Sequence, residues 1–540
     1  MRLCSIPFAR RTLAALLSAA LLVTQASAQV NLPALGDSVS DDVSISAEKR
    51  LGDQVMRQIR LDPDYLDDPL LLEYVQNTWE PLVKAARQLG QIGDDTVDRF
   101  AWEAFLVRDR SVNAFALPGG FVGVHLGLIA MTGARDELAS VLAHELSHIT
   151  QRHIARRIVG DSRSGTLAMV GMVLGLIAAA RSNSADMANA AIVGSQAAAT
   201  QMSLNFSRDM EREADRVGFN VLNQAGFAGS GMMSMFERME QAYHLMDSGS
   251  YPYLRSHPLT TERIGEARAR LGTGGWERPP SRAEHALMAA RSRVLMDARA
   301  ESLAKLQELD AGVRGGQSGN DAMDQLGARY ASALASLKLR QWPRAENALR
   351  QAELMLQLTG PDEQASRALM LLRAELAQAS GQPAKGWAAL APLGKDNSRV
   401  LLMMRGQLAM ADTDTEATRR AAEALQTHLT LLPRDAGAWS LEAQLWERLG
   451  QPLRAVRALG EARAAAGDLN GAIDRLRSGL NMSRARDADQ VEAAVIDARL
   501  RSLLYERRQL LAEMYPRGAP PGTELPRLQS QALSPRLSLN

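Results

Sequence analysis

The second half of the chain constrains the fold most strongly, because from about residue 282 to Met514 the sequence carries helical patterning and no strand signal. The stretch "WSLEAQLWERLGQPLRAVRALGEA" has small residues where two helices would cross and Gly450 at the turn between them. The stretches "YASALASLKLRQWPRAENALRQA" and, more weakly, "LLRAELAQASGQPAKGWAAL" repeat this spacing, which tetratricopeptide repeats require. The sequence therefore predicts stacked helical hairpins with a concave surface for peptides or partner proteins. An unrelated helical bundle is the alternative.

A Gly- and Pro-rich stretch, "GTGGWERPPS" at 272–281, separates these helices from a first half that also contains strand signals. With 540 residues the chain is too long for one hydrophobic core. The resulting domain prediction is listed in chain order: a signal peptide at 1–28, a flexible leader at 29–45, a first folded domain at 46–275, a repeat domain at 285–514 and a disordered tail at 515–540.

The first 28 residues have the pattern of an export signal. Arg10 and Arg11 belong to a basic start, "TLAALLSAALLV" is the apolar segment, and the small residues "ASA" predict cleavage after Ala28. Cys4 is the only cysteine, so the mature chain would have neither disulfides nor thiolate metal ligands. We therefore expect a periplasmic protein. The formal net charge of +1 gives no basic footprint for nucleic acid.

Strands are expected in the first domain on both sides of "NAFALPGG", in "RFAWEAFLV" and "FVGVHL". The segment "NAFALPGG" itself is interpreted as an edge strand that pairs with extended substrate, or else as an ordinary structural hairpin. An apolar segment at about 165–180 is too short to span a bilayer. It is either a buried core helix, or a lid or a contact with a membrane surface.

The stretch "VLAHELSHITQRHI" holds the pattern that defines the chemistry. His144 and His148 are four residues apart on a helix, so both imidazoles can reach one metal ion, and Glu145 lies near a water on that ion. His153 is nine residues after His144, on the opposite side of a continuous helix, and is predicted to be an ordinary polar residue.

The third ligand of a catalytic zinc must come from elsewhere, since position 154 is an isoleucine. In the helical stretch "FSRDMEREADRVGF", Glu211 and Asp215 share one face. Glu211 is the candidate ligand, and Asp215 could orient a ligating imidazole, handle a proton or simply pair with an arginine. Glu213 lies about 200° around the helix from Glu211 and is expected to face solvent.

His257 stands before a proline in "RSHPLTTERIGEARARL", on a loop ahead of a helix that Thr260 or Thr261 can cap. Three roles are open for it. It could fill the fourth zinc position as a latch, donate a hydrogen bond to the oxyanion, or be an ordinary surface histidine.

The motifs "AHELSH", "NAFALPGG" and "SRDMEREAD", in this order, resemble the M48 family of zinc metallopeptidases over roughly residues 46–272. The resemblance implies a zincin-like α+β domain with a small edge-strand sheet, so that the whole chain is mainly α with an all-α repeat array behind. It implies one zinc ion per chain, bound by His144, His148 and Glu211. Glu145 would be the general base and Asp215 a further site residue. A His-Pro pair at the place of His257 also recurs in the family.

Together with the export signal and the repeats, the resemblance implies a periplasmic zinc endopeptidase in outer-membrane protein quality control. Its substrates would be misfolded or stalled envelope proteins, and the repeats would contact the machinery that assembles outer-membrane β-barrels. The alternative is a chaperone-like assembly factor that binds barrel proteins through its repeats with little proteolysis. A scaffold that uses zinc only structurally is disfavoured by Glu145 beside the ligands.

Overall fold

The computed structural model describes most of the chain between Ser44 and Met514. The described stretches are 44–160, 207–245, 252–272, 277–314, 322–483, 489–514 and 525. The expected signal peptide, nearly all of the leader, the apolar segment at 165–180 and the tail apart from Leu525 lie outside them.

The first region, residues 44–272, combines helices with one small sheet. Its helices are α1 (Ile45–Arg60), α2 (Pro69–Gln88), α3 (Asp94–Val97), α4 (Leu126–Met131), α5 (Arg135–Thr150), α6 (His153–Gly160), α7 (Arg208–Gln224), α8 (Ser230–Leu245), α9 (Pro252–Ser256) and α10 (Thr261–Leu271). Its strands are β1 (Tyr65–Leu66), β2 (Glu103–Val107), β3 (Ala114–Leu117) and β4 (Phe121–His125).

The sheet has the strand order β1-β2-β4-β3, so β3 is an edge strand of the described sheet. It pairs antiparallel with β4, with Ala116 opposite Val122, while β2 and β4 run parallel. The turn between β3 and β4 contains Gly119 and Gly120, both with a positive φ that glycine adopts without strain. The strands expected around "NAFALPGG" are therefore confirmed, and so is its position at an edge.

Helices α5 and α7 pack closely against each other. A Cβ atom on Gly218 would lie only 3.1 Å from the carbonyl carbon and oxygen of Ala143, so a larger residue would push the helices apart. This close approach brings Glu211 and Asp215 of α7 next to His144 of α5. Ser207 caps α7 by accepting a hydrogen bond from Met210 N at 3.3 Å, and Thr260, one of the two expected caps, accepts from Arg263 N at 3.3 Å ahead of α10.

The second region is entirely helical in its described residues. Its helices are α11 (Ala283–Leu295), α12 (Ala300–Arg314), α13 (Ala322–Lys338), α14 (Trp342–Thr359), α15 (Glu363–Ala379), α16 (Pro383–Leu390), α17 (Arg399–Ala411), α18 (Thr415–Leu431), α19 (Ala436–Arg448), α20 (Pro452–Ala465), α21 (Leu469–Met482) and α22 (Gln490–Met514). A short 3₁₀ helix, Ala391–Leu393, follows α16.

Consecutive helices of this region pack as hairpins. Gly381 and Gly450 form the turns of α15–α16 and α19–α20 with φ of 71° and 67°, and Arg340 takes the same left-handed conformation, φ 58°, before α14. The repeated small residues lie inside, as Ala345 and Ala455 illustrate. The mainly helical fold class is confirmed, while the assignment to a particular repeat family stays a prediction.

The hydrophobic core does not stop at the Gly- and Pro-rich stretch. One continuous cluster runs from Leu66 of the first region to Leu408 of α17. Helix α11 contributes Leu287, Met288 and Val294 to it and packs against α2 and α4. The helices directly after the expected boundary therefore complete the core of the first region.

The last helices have cores of their own. One cluster joins α17–α20, and another joins α20–α22 with Leu525. Leu525 is buried and its carbonyl oxygen accepts a hydrogen bond from Asn470 Nδ2 at 2.9 Å, so the chain is packed at this point of the expected tail. Among the described helices, none is long and apolar enough to cross a bilayer.

Candidate metal centre

Four buried side chains from three elements converge at one point. Helix α5 carries His144 and His148, α7 carries Glu211, and His257 directly follows α9. One nitrogen or oxygen of each lies within 4.8 Å of the corresponding atom of every other. All four residues are candidates from the sequence, and the structure brings them together.

The distances suit ligand atoms around a single ion. His144 Nε2 is 3.0 Å from His148 Nε2. Glu211 Oε2 lies 3.5 Å from His144 Nε2, and Glu211 Oε1 lies 3.5 Å from His148 Nε2. Atoms bound to a tetrahedral zinc at about 2.0–2.1 Å are separated from one another by roughly 3.3 Å. Imidazole nitrogen and carboxylate oxygen are also ligand types that zinc accepts. The residues present therefore fit a zinc ion.

His257 occupies the fourth corner of this cluster. Its Nδ1 lies 2.9 Å from Glu211 Oε1 and 3.3 Å from His144 Nε2, and its Nε2 lies 3.6 Å from Glu145 Oε1. The ring stacks on Tyr253 at 4.7 Å between centroids, and Tyr253 N donates to Val112 O at 3.3 Å, just before β3. His257 is buried, so the interpretation as an ordinary surface histidine is wrong.

Glu145 is fully buried beside the cluster and makes only half of its hydrogen bonds. Its Oε2 accepts from Ala116 N of β3 at 3.0 Å, while its Oε1 has no hydrogen-bond partner among the described residues. Burial raises the pKa of Glu145 above its ordinary value, against the opposing effect of His257 and His144. A buried carboxylate oxygen without a partner is costly, and it indicates a place prepared for a ligand or water.

Hydrogen bonds between oppositely charged groups hold His144, Asp215 and Arg263 in place. Burial alone would lower the pKa of His144, but the hydrogen bonds that its ring makes to the carboxylates of Asp215 and Glu211 raise the pKa to about 9. Asp215 Oδ1 lies 2.9 Å from His144 Nδ1, and both Asp215 oxygens accept from Arg263 at 2.6 and 2.8 Å. Arg263 and His144 keep the pKa of Asp215 below its ordinary value despite burial. Asp215 thus both orients an imidazole and pairs with an arginine.

Two residues that the sequence analysis set aside belong to the site. His153 is fully buried rather than on a polar face, and Glu213 is mostly covered rather than facing solvent. His153 Nδ1 lies 2.9 Å from His148 Nδ1, and its Nε2 lies 3.0 Å from Glu213 Oε2. The prediction failed because α5 ends at Thr150 and Arg152 adopts a left-handed φ of 51°, so His153 does not continue the same helix.

Comparison with known proteins agrees with this geometry. The model of Peptidase family M48 matches residues 73–271. The chain is 31% identical to the putative beta-barrel assembly-enhancing protease of Vibrio cholerae over 89% of this chain and 94% of that protein. It is 34% identical to the beta-barrel assembly-enhancing protease of Escherichia coli over 48% and 52%, and 30% identical to the mitochondrial metalloendopeptidase OMA1 of Schizosaccharomyces pombe over 42% and 61%.

A helix-borne pair of histidines facing a glutamate from a second helix, at the edge of a small sheet, is the arrangement expected of a zinc metallopeptidase domain. The chain belongs to peptidase family M48. Peptidases of this family are zinc-dependent, and the buried cluster of three histidines and a glutamate could bind such an ion.

Proposed function

We propose that this protein is an exported zinc-dependent endopeptidase that degrades misfolded or stalled envelope proteins and assists the assembly of outer-membrane β-barrels. One observation carries the proposal, namely the convergence of His144, His148 and Glu211 beside a half-satisfied Glu145. His144, His148 and Glu211 would hold one zinc ion per chain. Bound there, zinc would act as a Lewis acid on the scissile carbonyl and make a nearby water more acidic.

Glu145 is the general base of this mechanism. Its Oε2 is held by Ala116 N, which leaves Oε1 to take a proton from the attacking water and then pass it to the leaving amine nitrogen. Asp215 fixes the ring of His144 through Nδ1, so that Nε2 faces the cluster. Arg263 in turn fixes Asp215.

The edge strand β3 would bind the substrate backbone. Successive residues of a strand direct their N–H and C=O groups to opposite sides. Asn113 O accepts from His125 N at the end of β4, so the backbone N–H and C=O groups of Asn113 and Phe115 are directed towards β4. The backbone groups of Ala114 and Ala116 are directed to the opposite side, where Ala116 N donates to Glu145. An extended peptide paired there would be held mainly by backbone groups, which suits unfolded chains of many sequences.

We further propose that His257 takes the fourth position and keeps the enzyme latent until the loop moves. Its Nδ1 lies among the proposed ligand atoms, which supports a latch more than a hydrogen bond to the oxyanion alone. The wider setting rests on relatives whose names describe beta-barrel assembly-enhancing proteases. That likeness supports our proposal that the protein is periplasmic and that its repeats, interpreted as tetratricopeptide repeats, contact the barrel assembly machinery.

The test is digestion of casein by the purified mature protein, with and without a chelator. We expect about one zinc per chain, lost in His148→Ala and Glu211→Ala, together with proteolysis. Glu145→Gln should keep the zinc and lose proteolysis by a factor of about 10² or more, because a general base is not a ligand. Exposed Glu240 on α8 provides the matched control, Glu240→Gln, which should behave as the parent. A parent that binds zinc and holds unfolded protein without cleaving it would favour the chaperone-like alternative.

A further inference from the structure

The two histidines of α5 are supported differently on the side away from the cluster. His144 Nδ1 reaches the carboxylate of Asp215 directly at 2.9 Å. His148 Nδ1 instead meets a third imidazole, His153 Nδ1, also at 2.9 Å. His153 Nε2 then contacts Glu213 Oε2 at 3.0 Å, and Arg156 Nη1 donates to the same oxygen at 2.8 Å.

The geometry of α7 explains why an imidazole stands between His148 and Glu213. Glu211, Glu213 and Asp215 follow one another at two-residue steps on this helix, and two residues turn an α-helix by about 200°. Glu213 therefore points away from the face that carries the other two carboxylates. It meets His153 at the start of α6, which bridges the gap from Glu213 to His148.

The direction of each hydrogen bond follows from the role of His148. If His148 Nε2 is to bind an ion, that nitrogen carries no proton, so the proton of the neutral ring is on Nδ1. His148 Nδ1 then donates to His153 Nδ1, which must accept. The proton of His153 is consequently on Nε2 and is donated to Glu213. Each of these contacts then joins a donor to an acceptor.

We propose that His153 and Glu213 are positioning residues that hold His148 in the orientation and tautomer in which Nε2 faces the ion. This inference rests on the proposed metal site. The relay from Glu213 through His153 does for His148 what Asp215 does for His144, and Arg156 anchors its far end. Partners of this kind fix the ring and strengthen its nitrogen as a ligand, and their loss weakens metal binding by about 10–100-fold.

Two amide substitutions at position 153 separate this role from simple packing. In His153→Asn, the side-chain oxygen lies where the ring has Nδ1, so it can still accept from His148 while the bond to Glu213 is lost. In His153→Gln, the amide reaches the place of Nε2, so the bond to Glu213 is kept and the acceptor for His148 is lost. If His153 positions His148, the Asn variant should bind zinc more tightly than the Gln variant. If His153 only ties α6 to α7, the Gln variant should bind zinc more tightly than the Asn variant.

The experiment measures the zinc dissociation constant of the full mature chain by competition with a chelator. We expect His153→Gln to weaken zinc binding by about 10–100-fold, and His153→Asn to lose clearly less, within about tenfold of the parent. The visible spectrum of the cobalt-substituted protein should change in His153→Gln and resemble the parent in His153→Asn. Neither readout requires enzymatic activity.

Controls make each outcome decisive. Thermal unfolding of the metal-free variants checks that they fold. Glu213→Gln changes a partly exposed side chain and should lose less zinc affinity than His153→Gln. The inference is overturned if the parent binds zinc and His153→Gln binds it as tightly as His153→Asn or the parent. A parent that binds no zinc would instead overturn the proposed metal site, and this inference with it.

Discussion

Two of the groups of buried charged side chains in this molecule are paired differently. At the junction between the first and the second region, Arg291 donates to both oxygens of Asp68 at 2.6 and 2.8 Å. It also donates to Tyr330 at 3.2 Å and to Glu375 at 3.3 Å. In the metal centre, by contrast, Glu145 Oε1 is buried without a hydrogen-bond partner among the described residues. One group is satisfied by its own chain, and the other is left open for a ligand.

This difference separates stability from function. A buried ion pair whose hydrogen bonds are all made fixes how two elements meet, and losing one partner leaves an uncompensated charge. A buried carboxylate with an unused oxygen is an energetic cost that a protein keeps where chemistry requires it. We therefore expect substitutions at the junction to reduce stability, and substitutions at the metal centre to change zinc binding or activity.

Two further ion pairs, partly exposed, reach the same end of α2. Arg367 of α15 binds Glu73 of α2, and Arg399 of α17 binds Asp67, just before α2, at 2.7 Å. Together with Arg291 they attach three helices of the second region to one end of α2.

The largest effect is expected from removing the helices that share the core. A chain ending at Gly272 would uncover the apolar surfaces of α2 and α4 that Leu287, Met288 and Val294 cover. Each such side chain contributes about 1.5–3 kcal/mol, and the sum is comparable to the whole stability of a domain. We expect this fragment not to fold, as judged by circular dichroism and zinc content.

The matched fragment ends at Gly467. It loses α21 and α22, whose apolar residues form a separate cluster, and it keeps the core shared with the first region. This chain should fold and bind zinc. If the fragment ending at Gly272 also folded and cleaved casein, the shared core would not be needed and the boundary near 272–281 would be a true domain border.

Arg291→Met should produce the second-largest loss. The substitution keeps the length of the side chain but leaves Asp68 buried without its partner, which costs about 3–5 kcal/mol. Activity per folded molecule should stay at the parental level. The control is Arg419→Met, at an exposed pair with Glu416 on α18, where a change of about 0.5 kcal/mol or less is expected. Urea unfolding measures both, and equal losses would contradict the special role of the junction.

The pH dependence of stability gives a smaller and more specific test. Burial alone would raise the pKa of Glu375, but Lys338 at 3.1 Å and Arg291 at 3.3 Å lower it from 4.5 to about 2. A lowered pKa stabilises the fold above about 4.5, and this contribution is lost as the pH falls towards 2. It amounts to about 3 kcal/mol at most.

Glu375→Gln removes this titration. The variant should be less stable than the parent at pH 7, and the difference should shrink between pH 4.5 and the lowest pH at which both chains still fold. Unfolding in urea across this range measures the difference. A gap that does not depend on pH would mean that the charge of Glu375 contributes nothing to the junction.

Local patterns were enough to predict much of this molecule. The spacing of His144 and His148 predicted a helix, and the aromatic and branched residues around the Pro-Gly-Gly turn predicted strands; both are present. Glu211 could be selected because Ile154 excluded the nearer position. In the first two cases the signal and its structural consequence are separated by only a few residues, whereas Glu211 lies on a different helix from the histidines.

What could not be predicted depends on contacts between distant segments or on a single backbone angle. The left-handed φ of Arg152 changes the direction of the chain, and an arginine gives no sequence signal for this backbone conformation. Arg263 reaches Asp215 across 48 residues, and Arg291 reaches Asp68 across 223. The Gly- and Pro-rich stretch correctly marks a change of local pattern, yet it carries no information on which helices share a core.

His257→Ala should change activity in the most informative way of these variants. Arg263 Nη1 remains 2.9 Å from Glu211, and Asp215 remains on His144, so the cluster keeps its other partners. If His257 acts as a latch, its removal opens the fourth position, and proteolysis of casein and of the protein itself should rise while zinc content is unchanged. Ser256→Ala, one residue away and outside the cluster, is the control. Lower activity with intact zinc would mean that His257 donates a hydrogen bond to the oxyanion instead.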